Sequence, residues 1–324
     1  MSANERVKTV HLEYGEKPIT ISVPADTEVL ANKDIPALAN PGRAIRAALL
    51  YPVNGPTLAE AVAGLCAAGK QPSELTAAIT VSDNTRPVPY SSEREDGVLA
   101  PLLGELEKAG VRRDSITIVV GTGTHEATTD EWKRSALGQS IVDSYHIVDH
   151  DATSSGLLSI GSVDGIDVSI NEHFLNADLR VATSLAEPHF MAGVSGGAKA
   201  VCPGLMNIEA TRIFHSAAWM ENRFATTLNM HENPCVRFSR EVARRVGVHF
   251  SVNCLINKEG ALSAIVAGGL EAAHDEAVLR VGDTARIVCP HAYDVVITHA
   301  GKVGVNHYQA AKGVCAPLEI VRPG

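Results

Sequence analysis

Apolar positions along the chain follow two patterns. Near the N-terminus they alternate with polar ones, in Val7-Lys8-Thr9-Val10-His11-Leu12 and again in Ile19-Thr20-Ile21-Ser22-Val23, with Gly15 between. Period-two alternation around a turn residue predicts a β-hairpin. Further on the apolar residues gather in short runs, Ala77 to Val81, Ile116 to Val120 and Leu179 to Ala182, each with one polar residue inside it. Such runs mark strands covered on both faces. Helical signals separate them. Thr57-Leu58-Ala59-Glu60 reads as a capping box opening an Ala-rich helix to about Gly69, and Thr128-Thr129-Asp130-Glu131 as a second one opening a short helix. Helices are also expected over Pro101 to Gly110, from a cap at Asn207 through Trp219, and over Arg237 to Val246. Strands alternating with helices imply βαβ units and a mostly parallel sheet. The expected fold is therefore α/β, with a large N-terminal domain over residues 1–288. Val295-Val296-Ile297-Thr298 predicts a fresh strand, so 289–324 reads as the start of a second α/β domain that is cut short.

Composition narrows the functional classes. The 324 residues carry a net charge of −9, from 28 Lys and Arg against 37 Asp and Glu. Nucleic acid is an unsuitable partner, because phosphate neutralisation needs clustered cations and no basic stripe exists. No apolar stretch approaches the roughly 18 residues of a membrane span, and Met1 to Lys8 lacks the apolar core of a secretion signal. The six cysteines are scattered without a C-x-x-C pair, which fits a reducing cytoplasm better than a disulfide framework or a Cys-rich zinc site. A homo-oligomer is allowed by the sequence but not required by it. Internal repeats and low-complexity segments are absent.

Polar residues gather directly after the three buried runs. Ser82-Asp83-Asn84-Thr85-Arg86-Pro87 follows the first, Gly121-Thr122-Gly123-Thr124-His125-Glu126 the second, and Thr183-Ser184-Leu185-Ala186-Glu187-Pro188-His189 the third. Parallel α/β sheets bind ligands outside the carboxyl ends of their strands, so these loops are expected to converge there. Each has an ordinary alternative. Asp83 to Pro87 suits a plain turn, a lone histidine such as His125 is more often structural, and Gly121 and Gly123 suit packing. The GxG pair lacks the third glycine of a dinucleotide fingerprint. The repetition of one arrangement three times is what favours a site.

The richest segment runs from Glu187 to Gly204. Gly193, Gly196 and Gly197 allow close backbone approach, and Lys199 stands among small apolar residues, where a lysine either reaches to solvent or does chemistry. It is no P-loop lysine, since Ala198 separates it from the glycine. His215 follows among Ile213, Phe214 and Trp219; taken by itself it reads as a satisfied core histidine. No compact zinc spacing occurs.

Together these segments resemble the nickel-pincer lactate racemase family. The matching residues are Asp83-Asn84-Thr85-Arg86-Pro87, Gly123-Thr124-His125, Glu187-Pro188-His189, Ser195-Gly196-Gly197-Ala198-Lys199, His215 and Asn306-His307-Tyr308-Gln309-Ala310-Ala311-Lys312. The resemblance implies a 2-hydroxy acid racemase or epimerase whose cofactor is a pyridinium-3,5-bisthiocarboxylate mononucleotide, joined to Lys199 and carrying nickel held in part by His215. Sulfur and imidazole donors suit nickel in a square-planar site. It further implies that His125 and His189 are acid and base on opposite faces of the substrate. Arg86 would bind the substrate carboxylate, and Tyr308, Gln309 and Lys312 would contribute from a second domain. Asp83 and Thr85 would help hold the nucleotide beside the Ser195-Gly196-Gly197 turn. Partners would be the small 2-hydroxy acid and the proteins that make the cofactor. The family continues well past the Lys312 stretch, so a chain ending at Gly324 also allows a non-catalytic, cofactor-binding fragment. A metal-dependent hydrolase using the same histidines is a further alternative.

Overall fold

The three apolar runs become neighbouring strands of one sheet. In this computed structural model all residues are described except 1–6, 15, 16, 68, 302, 303, 305, 306 and 324, together with the side chains of 13, 14, 308 and 309. The sheet contains β1 (Ala77–Ser82), β2 (Ile116–Gly121), β3 (His146–Asp149), β4 (Leu179–Leu185), β5 (Phe250–Ile256) and β6 (Leu262–Gly268). Their spatial order is β6-β5-β4-β1-β2-β3. Pairing is parallel throughout, except that edge strand β6 runs antiparallel to β5. Ile79 stands level with Ile118 on one side and Val181 on the other.

Period-two alternation within the strands feeds two separate cores. Ile79, Val81, Ile118, Val120 and Val181 pack with Ile45 and Leu49 of α1 (Pro41–Leu50), Leu58 and Val62 of α2 (Leu58–Cys66), and Leu99 and Leu103 of α3 (Leu99–Lys108). Ala78 and Val119 point to the opposite face and pack with Phe214, Phe238 and Val242. Thr57 does form the expected reciprocal capping box with Glu60. The next helix, α4 (Asp130–Leu137), starts differently: Thr129 caps it by accepting from the Trp132 amide. The Thr128 hydroxyl instead donates to Asp149. A tertiary acceptor has won over the local box.

Two further expectations need correction. The helix beginning after Asn207, α5 (Ile208–Phe214), stops at Phe214, and Ala217–Met220 is a separate turn. The Asn207 side chain makes no cap; its oxygen accepts from the Ser169 amide. Val295 to Thr298 forms no strand, and Val295 is 76% exposed. An apolar run becomes a strand only where another strand pairs with it. Helices α6 (Pro234–Val246) and α7 (Leu270–Ala285) complete the elements used below.

The chain divides into two compact units, 34–284 and a second made of 1–33 with 285–324. The sheet belongs to the first. The second holds the expected hairpin, Val7–Tyr14 against Lys17–Pro24 with Val10 opposite Ile21, and the helix His307–Cys315. Tyr293 there donates its hydroxyl to Glu28 and bridges to Val321. No helix among the described residues is long and apolar enough to cross a membrane.

The strand order has a chemical consequence. From β1 the chain moves outward through β2 and β3, then returns to place β4 on the other side of β1. Parallel sheets open a crevice at such a reversal, outside the carboxyl ends of the strands. The loops after β1 and β4 flank it, and the loop after β2 lies next to them. Buried Tyr90 ties the two flanking strand ends together, its hydroxyl accepting from Ser82 N at 2.9 Å and Thr183 Oγ1 at 2.9 Å.

Candidate functional site

The first loop is organised around Asp83, which is buried. Its Oδ1 accepts from the Thr85 hydroxyl at 2.6 Å and the Thr85 amide at 3.1 Å. Its Oδ2 lies 2.6 Å from Nδ1 of His125, which arrives from the loop after β2. Burial pushes the Asp83 carboxyl upward, but the bonds from His125 and Thr85 outweigh it and hold it below its ordinary value. An ionised carboxylate only accepts, so Nδ1 of His125 carries the proton and the ring's lone pair is on Nε2. The neighbouring Arg86 has its Nε 3.1 Å from a Glu187 carboxylate oxygen. That ion pair joins the loop after β1 to the loop after β4.

His189 is buried and has a different environment. Its Nδ1 faces the amides of Ala192 at 3.2 Å and Met191 at 3.4 Å, and its ring stacks on Phe190 at 5.1 Å. Ser195 ties this loop to the glycine turn. Its amide donates to Glu187 O at 2.9 Å, its hydroxyl donates to Leu185 O at 2.8 Å, and the Glu187 amide donates to that hydroxyl at 3.1 Å.

The glycine turn itself is held by two residues that the sequence did not single out. The Gly197 amide donates to Asn253 Oδ1 at 2.8 Å, and Ser184 donates to the same oxygen at 3.2 Å. His274 on α7 donates from Nε2 to Ser195 O at 3.0 Å. Gly196 and Gly197 have φ of +100° and +52°, in the region that favours glycine. A Cβ on Gly197 would stand 2.5 Å from His274 Cγ. Gly197→Ala therefore combines backbone strain with a collision and is expected to cost about 2–4 kcal/mol of stability; urea unfolding would measure it, and a loss below about 1 kcal/mol would contradict it.

Lys199 follows on the short 3₁₀ turn Gly197–Ala200, after which the Cys202–Pro203 bond is cis. Its Nζ lies 5.5 Å from the Phe214 ring. His215, the C-cap residue of α5, packs edge-on against the same ring at 5.1 Å. The two residues therefore share one aromatic neighbour. His215 is half-buried and its Nδ1 donates to Thr211 O at 3.0 Å. A backbone carbonyl on Nδ1 fixes the ring in the form that offers Nε2 to a metal. It lies at the helix end, half-buried rather than in the core. Beside Lys199 a small pocket is lined partly by Gly196, Cys235, Ser239 and His274. Among the residues expected from a second domain, Lys312 is half-buried on His307–Cys315. The side chains of Tyr308 and Gln309 lie outside the described residues, as does Asn306.

Two buried histidines around these loops are neutral supports. Burial pushes His274 down to about 4, and His150, which donates to Met206 O at 3.1 Å, also to about 4. A histidine whose folded value is depressed stabilises the fold above its unfolded value, near 6.5, and loses that contribution as pH falls toward 4. Each is worth roughly 3 kcal/mol across that window. The melting temperature should accordingly fall between pH 6.5 and 4, and less steeply in His150→Gln; equal slopes would exclude His150 as a source.

The model of the family "Lactate racemase N-terminal domain" matches residues 14–227. Lactate racemase of Thermoanaerobacterium thermosaccharolyticum is 32% identical over 242 residues, which cover 74% of this chain and 55% of that protein. Lactate racemase of Lactiplantibacillus plantarum is 30% identical over 241 residues, with the same coverage of 74% and 55%. The chain thus spans about half the length of these relatives. The structure of the lactate racemase apoprotein from T. thermosaccharolyticum superposes with a TM-score of 0.86 at 26% identity, covering 98% of this chain and 72% of that one. A Thermotoga maritima crystal structure shares the fold alone, with a TM-score of 0.54 at 19% identity and coverage of 77% and 63%.

Proposed function

The chain belongs to the lactate racemase family, and from that premise we propose that it racemises or epimerises a small 2-hydroxy acid. The observation that carries the reading is the pairing of Asp83 with His125 next to Arg86, at a sheet crevice. It puts a proton-accepting imidazole beside a cation suited to a carboxylate, the two groups a 2-hydroxy acid needs.

The residues fit the nickel-pincer nucleotide. Lys199 supplies the amine for attachment, and His215, held by Thr211, supplies one imidazole donor for nickel. Gly196 and Gly197 let the turn beside Lys199 pack closely on Asn253 and His274, which a Cβ on either would strike. When bound, the nickel nucleotide would supply the hydride acceptor. The protein's own residues do the rest. Arg86 binds the carboxylate while Glu187 steadies its guanidinium. Asp83 orients His125. His125 and His189 meet the substrate oxygen and manage its proton. The family resemblance further assigns substrate contacts to Lys312, Tyr308 and Gln309, and the cofactor-making proteins would be partners in loading. The compact unit 34–284, within the expected 1–288, would form the cofactor-binding and catalytic domain and 289–324 part of a second domain, in a cytoplasmic enzyme.

The hydrolase alternative needs three or more grouped ligands, and among the described residues no three His, Cys, Asp or Glu side chains are so grouped. The non-catalytic alternative is separated by assay. Protein made in cells that produce the pincer nucleotide should carry nickel and interconvert the enantiomers of at least one 2-hydroxy acid on chiral chromatography. His215→Ala should keep the nucleotide adduct by mass and lose most of its nickel. Nickel retained in full would remove His215 as a ligand; a loaded protein inert on every acid would leave only the carrier.

A further inference from the structure

We infer that Asn233 is a positioning residue for His189, setting the imidazole through a single peptide group. The inference rests on the 2-hydroxy acid reading above, in which His189 meets the substrate.

Asn233 lies just before α6 and caps it, its Oδ1 accepting from the Cys235 amide at 3.0 Å. Capping alone does not call for asparagine, because aspartate and serine cap about as well. What asparagine adds is a pair of N–H donors on the same side chain. Both are used here: Nδ2 donates to Met191 O at 3.0 Å and to Asn229 O at 2.9 Å. The partners also settle which end of the amide is which, since an N–H faces one end and two carbonyls face the other. Asn233 is buried, so these bonds are shielded from water.

The bond to Met191 O leads straight to the candidate histidine. Met191 C=O and Ala192 N–H are the two ends of one planar peptide group. Its N–H donates to His189 Nδ1 at 3.2 Å, while its C=O accepts from Asn233. Hydrogen bonds in such a line polarise one another, so the donor at one end strengthens and aims the donor at the other. The second bond, to Asn229 O, holds the segment that backs this turn. A Cβ on Gly193 would come within 2.5 Å of Asn229 O, and the Leu228 amide donates to Gly193 O at 2.9 Å. Gly193 in turn pairs with His189 across the turn. In the backing segment Leu228 and Glu232 have φ of +60° and +51°. That conformation is strained for a residue with a Cβ and persists where surrounding contacts impose it. Asn233 is the shared support of the turn that carries His189 and of the strained segment packed behind it.

The test uses substitutions that keep the cap. Asn233→Ser and Asn233→Asp retain an oxygen for the Cys235 amide and lose both Nδ2 donors; in Asn233→Asp a carboxylate would also face two carbonyl oxygens. A capping role alone predicts that both variants behave as wild type. The positioning role predicts that both fail, Asn233→Asp more severely. In ¹⁵N-labelled protein without cofactor, the Ala192 amide and the His189 ring nitrogens should shift in Asn233→Ser, while signals from β1 stay in place and report an intact sheet. In nickel-loaded protein at matched nickel content, Asn233→Ser should lower kcat by about tenfold to hundredfold, with KM changed by less than about twofold. Leu103→Ala, which opens a cavity in the core on the other face of the sheet, is the destabilised reference and should keep kcat. Unmoved Ala192 and His189 signals, a wild-type kcat in Asn233→Ser, or an equal loss in Leu103→Ala would overturn the inference. A loaded wild type with no turnover on any 2-hydroxy acid would instead defeat the racemase reading, with the Ala192 and His189 signals still deciding whether Asn233 sets the ring.

Discussion

Lys199→Ala is expected to abolish covalent attachment of the nucleotide altogether, with activity falling to background. The side chain stands alone in its chemistry on this turn. Its neighbours from Gly196 to Val201 are glycines and small apolar residues with no second amine. The fold should survive the change. Lys199 is half-buried, and the turn is fixed by bonds to Gly197 and Ser195 that the substitution leaves alone. The contact with Phe214 at 5.5 Å, worth about 0.5–1 kcal/mol at a partly exposed site, is among those lost. Intact mass of wild type and variant, both produced in cells that make the nucleotide, decides the matter. A wild type heavier by one nucleotide beside an unmodified variant is the expected pair of spectra. An adduct that persists in Lys199→Ala would move the attachment elsewhere.

The second large effect concerns Asp83. Asp83→Asn should preserve the fold and lower kcat by about 10²–10⁴-fold, the usual cost of removing a carboxylate that orients a catalytic imidazole. The retained amide oxygen can still accept from Thr85, so the turn keeps its shape. It cannot balance an imidazolium at His125. The substitution also lets an N–H group face Nδ1, which favours the wrong form of the ring. Steady-state kinetics with nickel content matched between samples reads the effect. A KM change of the same size with kcat intact would instead assign Asp83 to binding. Loss of nucleotide adduct in the same variant would assign it to holding the cofactor, the part the family resemblance gave it.

Part of this protein follows from sequence alone. Runs such as Ile116 to Val120 carry apolar residues on both faces, with Thr117 the one polar position, so burial on both sides is their stable outcome, and the parallel sheet follows. The polar clusters after three of those runs were visible for the same reason: a buried strand must end where polar residues begin. Strands β5 and β6 were not visible. β5 carries Ser251 and Asn253 inside a covered sheet, and polar residues read as loop until their partners are known. The reverse error occurred at Val295 to Thr298, where local preference suggested a strand that no neighbour pairs with.

The site divides the same way. Residue types and their order already pointed to Arg86, His125, His189, Lys199 and His215. Which nitrogen of each imidazole carries the proton was decided by groups remote in sequence or by local backbone geometry: Asp83 for His125, 42 positions away, two turn amides for His189, and Thr211 O for His215. Asn253 and His274 act on the glycine turn from 56 and 79 positions away. Sequence fixes which hydrogen-bonding groups exist, because each side chain has a set inventory of donors and acceptors. Only the folded chain decides which of them meet, because a hydrogen bond depends on distances of about 3 Å that sequence separation does not encode.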